Sequence, residues 1–200
     1  MGKCVRDSYP ATIAGLTSIR RKANTHGAGP LLTQAFIVRR WTTTSPGSRC
    51  ATSLLSISIR NTGSIAYTLT CKNVGVTLPR TGTVLFAHIH LGKSPDSGGI
   101  LVFFCTKKPF TGTGPTPPSC NTDSSGSGTV SGMWKAENVQ AIPGQNVQAG
   151  DFDVLVDALT SNTAYANIHT TSGTMPDTAF PGGEIRGQVH SEDREHREDR

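Results

Sequence analysis

Long apolar runs are missing from this 200-residue chain. No window approaches the roughly 18 consecutive apolar residues that a membrane-crossing helix needs, which excludes a helical transmembrane segment. Sustained heptads are absent too, so a coiled coil is excluded. No Cys-x-x-Cys occurs, and a zinc ribbon or thioredoxin-type motif therefore has nothing to build on. The chain has no Gly-x-Ser-x-Gly and no phosphate-binding loop, and no catalytic motif is evident; the expectation is a protein that is not an enzyme. Charged residues make up only 16 % and apolar residues only 35 %. The 22 glycines and 12 prolines exceed the average share but fall short of aperiodic disorder or collagen.

The net charge of +5 is unevenly spread. Residues 1–49 carry Lys3, Arg6, Arg20, Arg21, Lys22, Arg39, Arg40 and Arg49 against Asp7 alone. Residues 50–190 are balanced, and the tail 191–200 mixes three arginines with five acids. The balanced middle lacks the basic face that nucleic-acid binding needs, so nucleic acid is not an expected partner. The division expected from this pattern is a poorly ordered basic extension at 1–49, a folded domain at 50–190 and a charged, disordered tail at 191–200. The first segment is rich in Arg, Ser and Thr, as presequences are, but its apolar runs at 11–16 and 35–38 are too short for a secretory leader.

Five cysteines remain: Cys4, Cys50, Cys71, Cys105 and Cys120. Cys105 and Cys120 bracket a proline-rich loop that cannot hold itself by packing. A bridge there would remove about 3 kcal/mol of unfolded-chain entropy. Cys50 and Cys71 flank two expected strands and are a second candidate pair, with Cys4 left over. The alternative is buried free thiols. Bridges would point to an oxidising compartment, extracellular or cell-envelope.

Period-2 alternation dominates from residue 53 onward. Leu55, Ile57 and Ile59 alternate with Ser56, Ser58 and Arg60; Asn61-Thr62-Gly63 signals a turn; Ile65, Tyr67, Leu69 and Cys71 then form a second apolar row. Further strands are expected at Leu85–Leu91, Ile100–Phe104, Thr129–Met133, Tyr165–Thr170 and Gly183–His190. Phe152, Leu155 and Leu159 share a helical face, which predicts one short helix at about 151–159. Asp151, Asp153 and Asp157 lack the glycine and terminal Glu of a calcium loop and read as helix-start acids. The fold class is therefore all-β, an antiparallel β-sandwich or partly closed barrel with one short helix.

Alternation also predicts three polar rows. His88 and His90 lie opposite Leu85, Ala87, Ile89 and Leu91; Tyr165, Asn167 and His169 share one face; Glu184, Arg186 and Gln188 share another. The segments Phe86-Ala-His-Ile-His-Leu-Gly92, Tyr165-Ala-Asn-Ile-His-Thr170 and Pro181-Gly-Gly-Glu-Ile-Arg-Gly-Gln-Val189 resemble, in order, the signature of the CHRD domain, first described in chordin. Gly128–Val139, Gln148–Leu159 and the Cys105–Cys120 loop are similar as well. The resemblance covers roughly residues 51–190; the family's opening strand is not recognisable, and 171–179 reads as an insertion. It implies an immunoglobulin-like β-sandwich, secreted or envelope-associated, acting as a non-catalytic module that contacts an unidentified protein or extracellular-matrix component.

If the three rows are neighbours, they meet in one cluster. A structural role is the first reading: Glu184 pairs with Arg186 or a protonated His, and the cluster fixes strand register. The competing reading is copper or zinc held by His88, His90 and His169, with Glu184 as fourth ligand or supporting partner, and a redox role open to it. A pH-responsive contact surface is a third.

Overall fold

The computed structural model describes residues 34–38 (backbone), 52–60, 63–76, 81–171 and 183–190. Its strands are β1 (Gln34–Val38), β2 (Thr52–Arg60), β3 (Ser64–Lys72), β4 (Val84–Leu91), β5 (Ile100–Thr106), β6 (Gly128–Trp134), β7 (Ala164–Thr170) and β8 (Ile185–Gln188), with one helix, α1 (Phe152–Thr160). They form two antiparallel sheets, ordered β1-β2-β3-β6 and β5-β4-β7-β8. Neither sheet closes on itself, so the molecule is a β-sandwich and the barrel alternative drops out.

The alternating rows become the core. Leu55, Ile57, Ile65, Tyr67, Leu69 and Cys71 of the first sheet are buried, as are Ala87, Ile89, Leu101, Phe104 and Ile168 of the second, all in one cluster. On the opposite face of the first sheet, hydroxyl pairs replace apolar ones: Thr68 with Ser131 and Thr70 with Thr129, each at 3.0 Å. A one-residue slip would exchange these faces, so the pattern fixes the register.

An aromatic group ties the sheets together where β5 lies beside β6. Tyr67 stacks on Trp134 at 4.4 Å and meets Phe104 edge-on at 5.3 Å. The Tyr67 hydroxyl donates to the Phe104 carbonyl at 2.9 Å, and Trp134 Nε1–H donates to the Phe103 carbonyl at 2.8 Å. Each amphipathic ring thus buries its body and satisfies its polar tip. The segment between β6 and β7 crosses from one sheet to the other. It sends Val139, Ile142 and Val147, then Leu155, Ala158 and Leu159 of α1, into the core.

Three findings refine the reading of the sequence. The sheet starts before residue 50: the apolar run at 35–38 lies in β1, which pairs with β2. The rest of the basic extension, the 172–182 segment that holds most of the expected insertion, and the tail lie outside the described residues. The Cys105–Cys120 bridge is present. Cys71, in contrast, is a free thiol, so the Cys50–Cys71 pairing is corrected; Cys50 and Cys4 lie outside the described residues. The physical reason is the register, which sets Ser53 rather than Cys50 opposite Cys71 across β2 and β3; the thiol is left in the core row of β3, where burial, reinforced by the Glu184 carboxylate, pushes its pKa up to about 12.

The bridge closes the proline-rich loop, which contributes little core: most of residues 107–119 are exposed. Replacing Cys105 and Cys120 together by Ala should therefore lower unfolding free energy by about 3 kcal/mol, the loop-entropy value. Denaturant midpoints of the two proteins measure this, and equal midpoints would show that the loop needs no tether.

Candidate functional site

The second sheet brings most of the predicted polar rows together. Across β4 and β7 the partners are Phe86 with His169, His88 with Asn167 and His90 with Tyr165. Across β7 and β8 they are Tyr165 with Gln188 and Asn167 with Arg186. Directly opposed residues point to the same side of a sheet. His88, His90, Tyr165, Asn167, His169, Arg186 and Gln188 therefore share the face away from the core, as alternation predicts.

Glu184 is the exception. Gly183 adopts φ +88°, a left-handed conformation suited to glycine, and a Cβ there would come 2.0 Å from Asn167 Oδ1. The chain then bends at Glu184, one residue before β8 begins, so the strand's alternation does not extend to that side chain. The Glu184 carboxylate accepts hydrogen bonds from the Gly75 N–H at 2.9 Å, the Thr170 hydroxyl at 2.6 Å and the Thr81 hydroxyl. It is buried, and near enough to Cys71 to raise that thiol's pKa. The expected pairing with Arg186 or a histidine is corrected: Glu184 belongs to the interior side, and its three donors stand in for a countercharge.

Arg186 and Gln188 have structural employment of their own. The Arg186 guanidinium lies 3.7 Å from the Tyr165 ring centre and donates to the carbonyls of Lys93 and Asp96. Gln188 Nε2–H donates to the carbonyls of Gly92, Asn162 and Ala164, while its Oε1 accepts from Ser94 N–H. Tyr165 Oη accepts from Gly98 N–H at 3.2 Å. Together these groups hold the 92–99 loop over one end of the row.

Behind that loop the imidazoles form a compact, mostly dry group. Ring centres of His88 and His90 are 4.4 Å apart, and those of His88 and His169 are 5.0 Å apart. Phe86 stacks on His169, Tyr165 stacks on His90, and Phe103 meets His88 edge-on. His88 is only 1 % exposed. Burial holds its pKa well below the ordinary imidazole value, and the neighbouring His90 and His169 add to the effect. His90 is lowered chiefly by burial and also by Arg186, against the opposing influence of its bond to the Gly98 carbonyl. Among the described residues, no three His, Cys, Asp or Glu side chains are arranged as a preformed metal cage.

A second feature was not anticipated. Between the proline-rich loop and β6 lies a groove of about 290 Å³, with Phe103, Phe110, Pro117, Pro118, Met133 and Trp134 among its lining residues. Met133 is 52 % exposed, the one large apolar side chain so placed among the described residues. A sequence signal existed: alternation puts Met133 on the same face as Thr129 and Ser131, an apolar side chain in a hydroxyl row.

The sequence profile of the family described as the CHRD domain matches residues 31–189. The chain belongs to the CHRD family. No curated protein and no solved structure matches it. The CHRD match begins at residue 31, just before β1, and ends at Val189, just after β8. Strands β4 and β7 and the turn into β8 carry the three motifs that mark the family resemblance, so the CHRD signature coincides with the imidazole group and the Glu184 reversal. Among the described residues, no helix is long and apolar enough to cross a membrane.

His88 and His90 predict a pH dependence. Their folded-state pKa values are depressed, so the unfolded chain binds more protons below about 6.5. The stabilising contribution is present above that value and is lost as pH falls from it toward the folded values. Unfolding free energy should decline between pH 7 and pH 5 by roughly 1.4 kcal/mol per pH unit for each imidazole kept neutral. Denaturant melts across that range measure it, and His88→Phe should reduce the slope. A flat profile would contradict the burial of neutral His88.

Proposed function

We propose that this CHRD chain is a non-catalytic module of the extracellular space or cell envelope that binds a protein or matrix component through the groove beside β6. The exposure of Met133 at the rim of that groove is the observation that carries the reading. Solvent-facing neighbours on the strand are hydroxylic, and an isolated thioether among them contributes nothing to the core. Flexible, polarisable Met side chains suit contact surfaces that adapt to a partner. Groove walls of proline and aromatic rings need little ordering on association, which limits the entropy lost when a partner docks.

The tethered loop supports the compartment assigned. One wall of the groove is held by Cys105–Cys120, and disulfides of this kind persist where the environment is oxidising. The rim carries Lys135 and Glu137, one charge of each sign. Apolar contact therefore drives the proposed association, with charge setting orientation.

Binding to an immobilised extracellular-matrix preparation, compared between the native chain and Met133→Asp, tests the reading. The variant should keep its melting temperature within a few degrees, because Met133 is exposed, and should lose at least tenfold in binding. Equal binding by both proteins would remove the groove as the contact surface.

A further inference from the structure

We propose that Thr116, in the proline-rich loop, is an acceptor site for an O-linked sugar, delivered from a donor in which the sugar is esterified to phosphate. The proposal rests on the extracellular or envelope compartment proposed above, since such transfer accompanies passage to the cell exterior.

Accessibility is the starting observation. Thr116 is exposed, and its hydroxyl has no partner among the described residues. Many hydroxyls elsewhere are engaged. Thr68 pairs with Ser131 and Thr70 with Thr129. Within the loop itself the Thr113 hydroxyl donates to Gln140 Oε1, and in the 123–127 turn the Ser125 hydroxyl donates to Asp123 at 2.6 Å.

Backbone shape singles out the same residue. Pro115 precedes Thr116, and Pro117 and Pro118 follow it. A residue before proline is confined to the extended region, and proline holds its own φ near the polyproline value. Residues 116–120 accordingly run without helix, strand, turn or bend. Lacking an N–H, the prolines also keep the segment from joining a sheet. An enzyme that glycosylates a hydroxyl must hold the acceptor segment stretched out, so that the oxygen reaches the donor. Here the prolines have already done much of that ordering, which limits the entropy lost on docking.

The loop is mounted so that this can happen in the folded protein. The Cys105–Cys120 bridge closes it, and Thr106 N–H donates to the Pro118 carbonyl at 2.9 Å. Thr116 can therefore be reached without opening the sandwich. Thr111 and Ser119 are exposed too, but Thr111 is followed by a glycine and Ser119 adjoins the buried Cys120. Hydroxyl residues interspersed with proline are the composition of O-glycosylated stalks. The chain has no Asn-x-Ser/Thr, so an N-linked sugar has no acceptor.

In the transfer, Thr116 Oγ1 attacks the anomeric carbon of the donor. The bond from that carbon to the phosphate oxygen breaks, and its electron pair leaves with the phosphate. The hydroxyl proton passes to a base of the transferring enzyme, and nothing is oxidised or reduced. Thr116 also lines the groove beside β6, so the sugar adds a polar group to that wall.

The test incubates the purified full chain, bridge intact, with solubilised secretory membranes in two arms. One arm is supplied with tritiated dolichyl phosphate mannose and the other with tritiated UDP-N-acetylgalactosamine, which separates a lipid-phosphate donor from a nucleotide donor. The expected result is label in one arm, released by alkaline β-elimination and mapped to Thr116 by electron-transfer fragmentation. Thr116→Val should lose at least tenfold of the label, and Thr116→Ser should keep it. Absence of label in both arms, or equal label on Thr116→Val, would overturn the proposal. Because chain and enzymes are brought together in the tube, such a failure condemns the site and not the compartment. Label at Thr116 sustains the site even if the chain recovered from its own cells is bare, a result that would count against the compartment instead.

Discussion

The Glu184 carboxylate is the interaction on which the arrangement of this molecule depends. Its three donors come from separate places in the chain: Gly75 just after β3, Thr81 just before β4 and Thr170 at the end of β7. The first two flank the crossover from one sheet to the other, and the third lies in the sheet that receives it. A single buried charge thus fixes the turn region that relates the two layers. A carboxylate taken out of water is tolerated when several donors converge on it, and charge-assisted bonds of this kind are the stronger ones.

The same reversal decides the chemistry of the opposite face. With Glu184 turned inward, the outer face keeps imidazole, amide, phenol and guanidinium groups and loses the acid that alternation assigned to it. Desolvation then acts on histidines without a counterion, which is why His88 and His90 are held neutral. An acid on that face would have favoured protonated imidazoles or a divalent ion; its absence favours lone pairs. The fold separates its functions accordingly: the carboxylate secures the layers, the imidazoles occupy the far face, and the proline-rich loop forms a groove at the β6 edge.

Much of this was legible in the residues. Leu55, Ile57, Ile65, Tyr67 and Leu69 announced their strands because each strand of the first sheet hides one face, and burial imposes period 2. The Cys105–Cys120 bridge was legible because a loop so poor in core residues needs a tether. The meeting of His88, His90, Asn167 and His169 followed from parity alone once β4 and β7 were neighbours. Glu184 was missed because parity was extended back beyond Ile185, where β8 begins, and alternation holds only while the backbone stays extended; the chain bends at Glu184. The glycine pair before Glu184 was the available hint. Strand β1 was missed because its apolar residues, 35–38, run without alternation and are too few to mark a strand by period. Cys71 fitted two readings, since a core-facing thiol and a hairpin bridge both satisfy its place in an apolar row.

Amide hydrogen exchange at Gly75 tests the central claim most directly. In the native chain its N–H points at the Glu184 carboxylate, so it should exchange only when the sandwich opens. In Glu184→Gln one acceptor oxygen becomes a donor facing donors, a change of about 1–3 kcal/mol. Gly75 exchange should then accelerate by at least tenfold, ahead of core amides such as Ile89. Equal protection of Gly75 in both proteins would contradict the account, because the carboxylate would not be what holds the layers in place.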